Sequence, residues 1–184
     1  MNFLVTRDLT ERKRIEDRLV ALATTDPLTG ASNRRAGEAR LEQAFSRWRR
    51  YGRSFVVLMI DCDHFRAVND RCGHDAGDAV LVALVRLCRE TLRETDVTIR
   101  WGGEEFLLLL PETSCDAALS VAERVREAIE AVKVEQNGNV IRITASIGVA
   151  EAAESDRGAE EAVGRADRAM YRAKSAGRNR IAAA

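Results

Sequence analysis

The run Phe55-Val56-Val57-Leu58-Met59-Ile60 is continuously apolar, rich in strand formers and too short for an ordinary helix. It predicts a strand buried on both faces. Around it the pattern changes period. Asn33 to Arg50 and Asp75 to Arg93 carry apolar residues at helical spacing, with Val80, Leu81, Leu84, Val85 and Cys88 on one side of the second segment. Val97 to Trp101 and Glu105 to Leu110 are strand-like runs separated by Gly102-Gly103, a pair suited to a tight hairpin. Ala117 to Val132 is helical again, Val140 to Val149 reads as a strand after an Asn137-Gly138 turn, and Glu160 to Ala176 is a last helix closed by Gly177.

After its first helix the chain therefore runs β-α-β-β-α-β and then α. That order predicts an α+β fold of the ferredoxin-like or palm-like kind, with the first strand and the hairpin side by side in one antiparallel sheet and helices on one face. Residues 1–25 stand apart. Thr10-Glu11-Arg12-Lys13-Arg14 is dense in charge, and Ile15, Leu19 and Leu22 then mark a narrow apolar stripe, as in a linker helix or two-helix coiled coil. Asp26-Pro27 with Thr29-Gly30 supplies a break, so the main domain is expected from residue 26 to 184.

Charge and composition narrow the partners. Lys and Arg number 29, and so do Asp and Glu, so no bulk term favours nucleic acid or an anionic membrane. No apolar run approaches a membrane span, and the start carries no signal-peptide pattern, so the expectation is a cytoplasmic chain. Cys62, Cys72, Cys88 and Cys115 have neither zinc nor CxxC spacing, and they read as reduced, small hydrophobes. With only His64 and His74 available, any metal should be hard and carboxylate-bound.

Carboxylates supply the candidate chemistry. Asp61 and Asp63 follow the apolar strand, while Glu104 and Glu105 follow the hairpin glycines. Singly, each is a solvated loop carboxylate; on neighbouring elements they converge, and converging carboxylates repel unless protonated or bridged by a cation such as Mg²⁺. Gly102 and Gly103 either make a plain turn or let a ligand approach the backbone. Lys174 and Arg178, four apart, are expected on one face of the last helical turn, where they either compensate the helix dipole or clamp phosphate oxygens.

Several motifs then occur in one order. Asp61-Cys62-Asp63-His64-Phe65-Arg66 is followed by Asn69-Asp70 and Gly73-His74-Asp75, by Arg100-Trp101-Gly102-Gly103-Glu104-Glu105-Phe106, and by Tyr171-Arg172-Ala173-Lys174-Ser175-Ala176-Gly177-Arg178-Asn179. With Asp26-Pro27-Leu28-Thr29-Gly30 and Asn33-Arg34-Arg35 at the start, residues 26 to about 181 closely resemble the GGDEF family of diguanylate cyclases. Thr6 to Lys13 resembles the tail of a PAS sensor domain, which implies an upstream sensor.

The resemblance implies a domain that binds one GTP and pairs with a second copy to form cyclic di-GMP, releasing two pyrophosphates. It implies two Mg²⁺ ions, or Mn²⁺ in their place, held by Asp61, the main-chain carbonyl of Cys62, and Glu104. Asn69 and Asp78 would bond the guanine. Phe65 with neighbouring N–H groups, Gly102, Gly103, Lys174 and Arg178 would meet the rest of the nucleotide. Glu104, Glu105 and Arg66 fall at catalytic positions, and either glutamate could draw the proton from the 3′-hydroxyl. Glu104 stands where the family name has Asp, and Arg66 stands where Lys is usual. Arg93-Glu94-Thr95-Asp96, five residues ahead of Gly102, matches the family's product-binding inhibitory motif, with Arg124 as the additional arginine; otherwise these residues are a charged helix end. The competing readings are a catalytically silent GGDEF module that acts as a GTP or cyclic di-GMP receptor, and another nucleotidyl-transfer enzyme on a palm-like scaffold. Retention of the carboxylates and glycines argues against the first, and the lack of a long basic face argues against the second.

Overall fold

The computed structural model describes residues 20–136 and 138–184. Residues 20–24 are helical, with Val20 and Leu22 exposed, while Ile15, Leu19 and the Thr6 to Lys13 segment lie outside the described residues. A short strand β1 (Ser32–Asn33) leads into α1 (Arg34–Tyr51), where Asn33 Oδ1 accepts the Ala36 N–H as an N-cap at 3.0 Å. Then come β2 (Phe55–Cys62), α2 (Phe65–Cys72), α3 (His74–Thr91), β3 (Val97–Gly102), β4 (Glu105–Pro111), α4 (Cys115–Ala131), β5 (Val134–Gln136), β6 (Asn139–Ile141), β7 (Ala145–Glu151), α5 (Ala159–Ser175) and β8 (Ile181–Ala183).

The six-stranded sheet has the order β1-β3-β4-β2-β7-β8. Its central four strands are antiparallel and run β3-β4-β2-β7, the ferredoxin-like arrangement, and the short edge strands β1 and β8 add in parallel. Every residue of β2 is buried, as its unbroken apolar run predicts. Alternate side chains take opposite sides. Val56, Leu58 and Ile60 pack with Val80, Leu84 and Val85 of α3 and with Ala122, Val125 and Ile129 of α4. Phe55, Val57 and Met59 pack instead with Leu41 of α1 and with Ala162, Ala166 and Met170 of α5. A Leu58→Ala change in this two-sided core should cost about 2–5 kcal/mol.

That second layer corrects the expectation of helices on one face. A strand apolar on both sides exposes half its side chains unless each face is covered, and α1 and α5 cover the second. The predicted strand from Val140 to Val149 is also corrected. Val140 belongs to the separate β5-β6 hairpin, whereas β7 begins at Ala145 and pairs with β2 from Cys62↔Ala145 to Val56↔Glu151. Residues 142–144 connect the two, and continuous β-propensity across them conceals the break.

Candidate active site

Asp61 continues the alternation of Val57 and Met59, so its side chain emerges on the α5 side of the sheet where the apolar run ends. Its cross-strand partner is Glu105, the first residue of β4. Directly opposed residues share a face, so two carboxylates distant in sequence are neighbours by register. The intervening turn places Gly103 and Glu104 at its tip, with Gly103 at φ +41, a left-handed value that glycine reaches without a Cβ penalty. The Cys62 N–H reaches the Glu104 carbonyl at 3.4 Å, tying strand end to turn.

One cation enters this group. Lys174, in the last turn of α5, places Nζ 2.7 Å from Asp61 Oδ2. Burial pushes the Asp61 carboxyl above its ordinary range, Lys174 pulls it back, and the charges of Glu104 and Asp63 raise it further. Glu105 is raised as well, first by burial and then by Asp61. The Cys62 thiol points into the α3-α4 side of the core, where burial holds it protonated, so its main-chain carbonyl is the ligand that it can offer. Among the described residues no three His, Cys, Asp or Glu side chains converge as a metal cage. A site made of Asp61, Glu104 and one carbonyl fits a hard cation that completes its sphere with water and phosphate oxygens.

Asp63 does not belong to that site. It is 3% exposed, and both oxygens are engaged: Oδ1 accepts from Ser146 Oγ (2.7 Å), and Oδ2 accepts from Thr144 Oγ1 (2.7 Å) and the Asn179 N–H (3.0 Å). Arg178 departs from expectation in another way. Helix α5 ends at Ser175, and Arg178 lies beyond it at φ +64, so helical i,i+4 spacing does not align it with Lys174. Gly177 closes the helix as the sequence indicates, and its positive φ of 116° turns the chain so that Arg178 leaves the helical face.

The apolar period predicts one helix from Asp75 to Arg93 and gives no sign of the short α2 before it. Phe65 opens α2 and is half-buried; Asn69 lies one turn later; Asp78 is exposed on α3. The two helices approach closely at Gly77, where a Cβ would lie 2.0 Å from Asn69 Oδ1 and 3.0 Å from Phe65 Cζ. Gly77 thus lets the Asn69 amide pack against α3 at the position before Asp78. Arg66 points to solvent, with its nearest carboxylate, Asp70, at 3.7 Å.

Residues without an assigned role complete the hairpin. Arg100 donates from Nε and Nη2 to the Gly103 carbonyl (3.1 and 2.9 Å) and from Nη1 to both oxygens of Asp26 (3.0 and 3.1 Å). Asp26 also accepts from the Thr29 N–H and Oγ1. Burial opposes ionisation of Asp26, but these donors outweigh it and hold the carboxyl below its usual range. The turn is therefore anchored to the segment that leads into β1. The available signal is an Asp-x-x-Thr turn and an Arg two residues before the glycines; the contact between them is tertiary.

Arg93 and Asp96 lie between α3 and β3, where Asp96 Oδ2 accepts the Arg93 N–H at 2.9 Å. They line a cleft of about 300 Å³ with Arg89, Leu92 and Thr98. Arg124 is exposed on α4 and is not among the lining residues.

The family description "Diguanylate cyclase, GGDEF domain" matches residues 23–180, which covers strands β1 to β7, the hairpin and the end of α5 with Lys174. The chain belongs to the GGDEF-domain diguanylate cyclase family. It is 42% identical over 180 residues to the diguanylate cyclase DgcM of Escherichia coli K12, covering 98% of this chain and 43% of DgcM. The chain thus spans less than half of that relative. It is similar to the crystallised coiled coil and GGDEF domain of DgcB from Caulobacter crescentus in complex with cyclic di-GMP, at 27% identity and a TM-score of 0.90, covering 98% of this chain and 95% of that one. It is also similar to the active GGEEF domain of a Vibrio cholerae diguanylate cyclase, at 32% identity and a TM-score of 0.78, covering 82% and 96%. In this GGDEF domain the signature reads Gly102-Gly103-Glu104-Glu105-Phe106, with the same GGEEF spelling. Among its described residues no helix is long and apolar enough to cross a membrane.

Proposed function

We propose that this GGDEF domain condenses two GTP molecules into cyclic di-GMP, releasing two pyrophosphates, and that it works as a homodimer. The observation that carries the reading is the Asp61-Glu105 register with Glu104 at the turn and Lys174 beside it, a group of carboxylates unbalanced without added cations. Asp61, Glu104 and the Cys62 carbonyl would hold Mg²⁺ or Mn²⁺. Bound there, the metal would lower the pKa of the attacking hydroxyl and neutralise charge on the phosphates.

Each domain contributes one nucleotide. Asn69 and Asp78 orient its guanine, Asp78 accepting from N1–H and the exocyclic amine. Lys174 exchanges Asp61 for phosphate oxygens, and Arg178, Phe65 and adjacent N–H groups complete the cradle with Gly102 and Gly103. The 3′-hydroxyl of one GTP attacks the α-phosphate of the other, its proton passing to a carboxylate, while pyrophosphate leaves. The same exchange in the opposite sense closes the ring. The raised pKa of Glu105 suits a proton acceptor. A single site cannot present both attacking hydroxyls to both α-phosphates, hence the dimer. Residues 1–25 are read as a linker helix from an upstream sensor, the remainder as the catalytic domain, and the cleft at Arg93 and Asp96, with Arg124, as a product-inhibition site.

The test is incubation of the purified chain with GTP and Mg²⁺ and identification of the product by mass, beside Glu104→Ala. Cyclic di-GMP from the parent protein, with turnover lowered at least about 100-fold in the variant, is expected. Tight GTP or cyclic di-GMP binding without turnover would establish the receptor reading instead.

A further inference from the structure

Arg178 and Asn179 are consecutive non-glycine residues at φ +64 and +46. Such residues are uncommon in this region, and a pair persists only where the surroundings over-determine it. The surroundings here are specific. The Asn179 N–H donates to buried Asp63, Asn179 Nδ2 donates to Glu130 Oε1 at 2.8 Å, and Asn179 Oδ1 accepts from Arg126 Nη1 at 2.7 Å. Arg126 is itself held on α4 by Glu123 and Glu130, each at 2.7 Å. The Arg178 N–H closes back on the Ala173 carbonyl at 3.1 Å, and the Arg180 carbonyl accepts the Ile147 N–H at 2.9 Å. Both ends of the loop and the backbone and side chain of its central asparagine are therefore fixed, whereas the Arg178 side chain is exposed.

We propose that Asn179, clamped by Asp63, Arg126 and Glu130, is a positioning residue for substrate: it holds Arg178 in the left-handed conformation that presents the guanidinium to nucleotide phosphate. The inference rests on the reading of Arg178 as a phosphate contact. It gives Asp63 a role as anchor of the phosphate loop, and it makes α4 part of the support of a site that its residues do not line. The Asp63 contacts to Ser146 and Thr144 fix that anchor to β7 and the segment before it. The clamp acts before substrate arrives, so removing it should weaken binding more than the chemical step.

The experiment is a double-mutant cycle between Asn179→Ala and Arg178→Ala, with affinity for 3′-deoxy-GTP and Mg²⁺ measured by calorimetry, and kcat and KM measured with GTP. Alone, Asn179→Ala should weaken 3′-deoxy-GTP binding and raise KM by about tenfold, with kcat changed by less than about threefold. In the Arg178→Ala background it should add almost nothing, because the group that it positions is gone. An Asn179→Gly variant, which tolerates positive φ, should lose less than the alanine. Should Asn179→Ala fail to fold, Arg126→Met carries the same cycle, with rescue by Arg126→Lys. Unchanged affinity in Asn179→Ala, or an equal loss with and without Arg178, overturns the positioning role while leaving the substrate reading intact. Unchanged affinity in Arg178→Ala alone overturns both.

Discussion

Lys174 Nζ lies 2.7 Å from Asp61 Oδ2, so the positive charge proposed for phosphate rests on the carboxylate proposed for metal. The two partners arrive from the end of α5 and the end of β2. With no nucleotide present, the lysine and an incoming cation compete for one acceptor. Lys174→Met should therefore raise the Mn²⁺ affinity of the nucleotide-free protein by about three- to tenfold, and weaken binding of 3′-deoxy-GTP. Calorimetry with each probe separates the effects. Unaltered Mn²⁺ affinity would mean that the pair does not compete with metal.

Gly77 lets α2 and α3 meet with the Asn69 amide between them. Gly77→Ala would force the amide aside, because its Cβ would lie 2.0 Å from Oδ1. Affinity for GTP should drop about tenfold and discrimination against ATP should relax, since a base-specific site depends on its polar partners. Competition binding of the two nucleotides checks this, and an unchanged preference would move guanine recognition away from Asn69.

Glu105 is raised by burial and by Asp61, so the folded protein holds its proton more tightly than the unfolded chain. The ionised form is destabilising at neutral pH, and the penalty fades as pH falls through the carboxylate range. Glu105→Gln should accordingly raise Tm by about 1–3 °C at pH 7.5 in metal-free buffer, with the gain shrinking toward pH 4. A variant less stable than the parent at neutral pH would refute this.

Feedback through the cleft beside Arg93 predicts that Arg93→Ala spares the initial rate and increases the cyclic di-GMP needed to inhibit. Arginine offers two donors to a phosphate, and truncation should raise that concentration about tenfold. Progress curves at equal protein concentration decide. Parallel slowing of both proteins with GTP still plentiful would leave Arg93 a charged helix end.

The sequence by itself determined the elements whose physics is local. The unbroken apolar run of β2, the Gly102-Gly103 turn and the amphipathic α3 and α4 are set by side-chain period and backbone preference, and their order implied the antiparallel sheet that joins Asp61 to Glu105. The motif order was likewise enough to indicate the family. Tertiary structure decided what each carboxylate is free to do. Asp61 and Asp63 are equivalent in the sequence pattern, yet one meets Lys174 and the other is consumed by Ser146, Thr144 and Asn179, because partners up to 116 residues away fill its lone pairs. It also decided that Asn179 returns to Asp63 after the turn and that Arg100 joins Asp26 to the hairpin. Such contacts depend on chain reversal and burial, for which neither hydrophobic period nor spacing carries a signal.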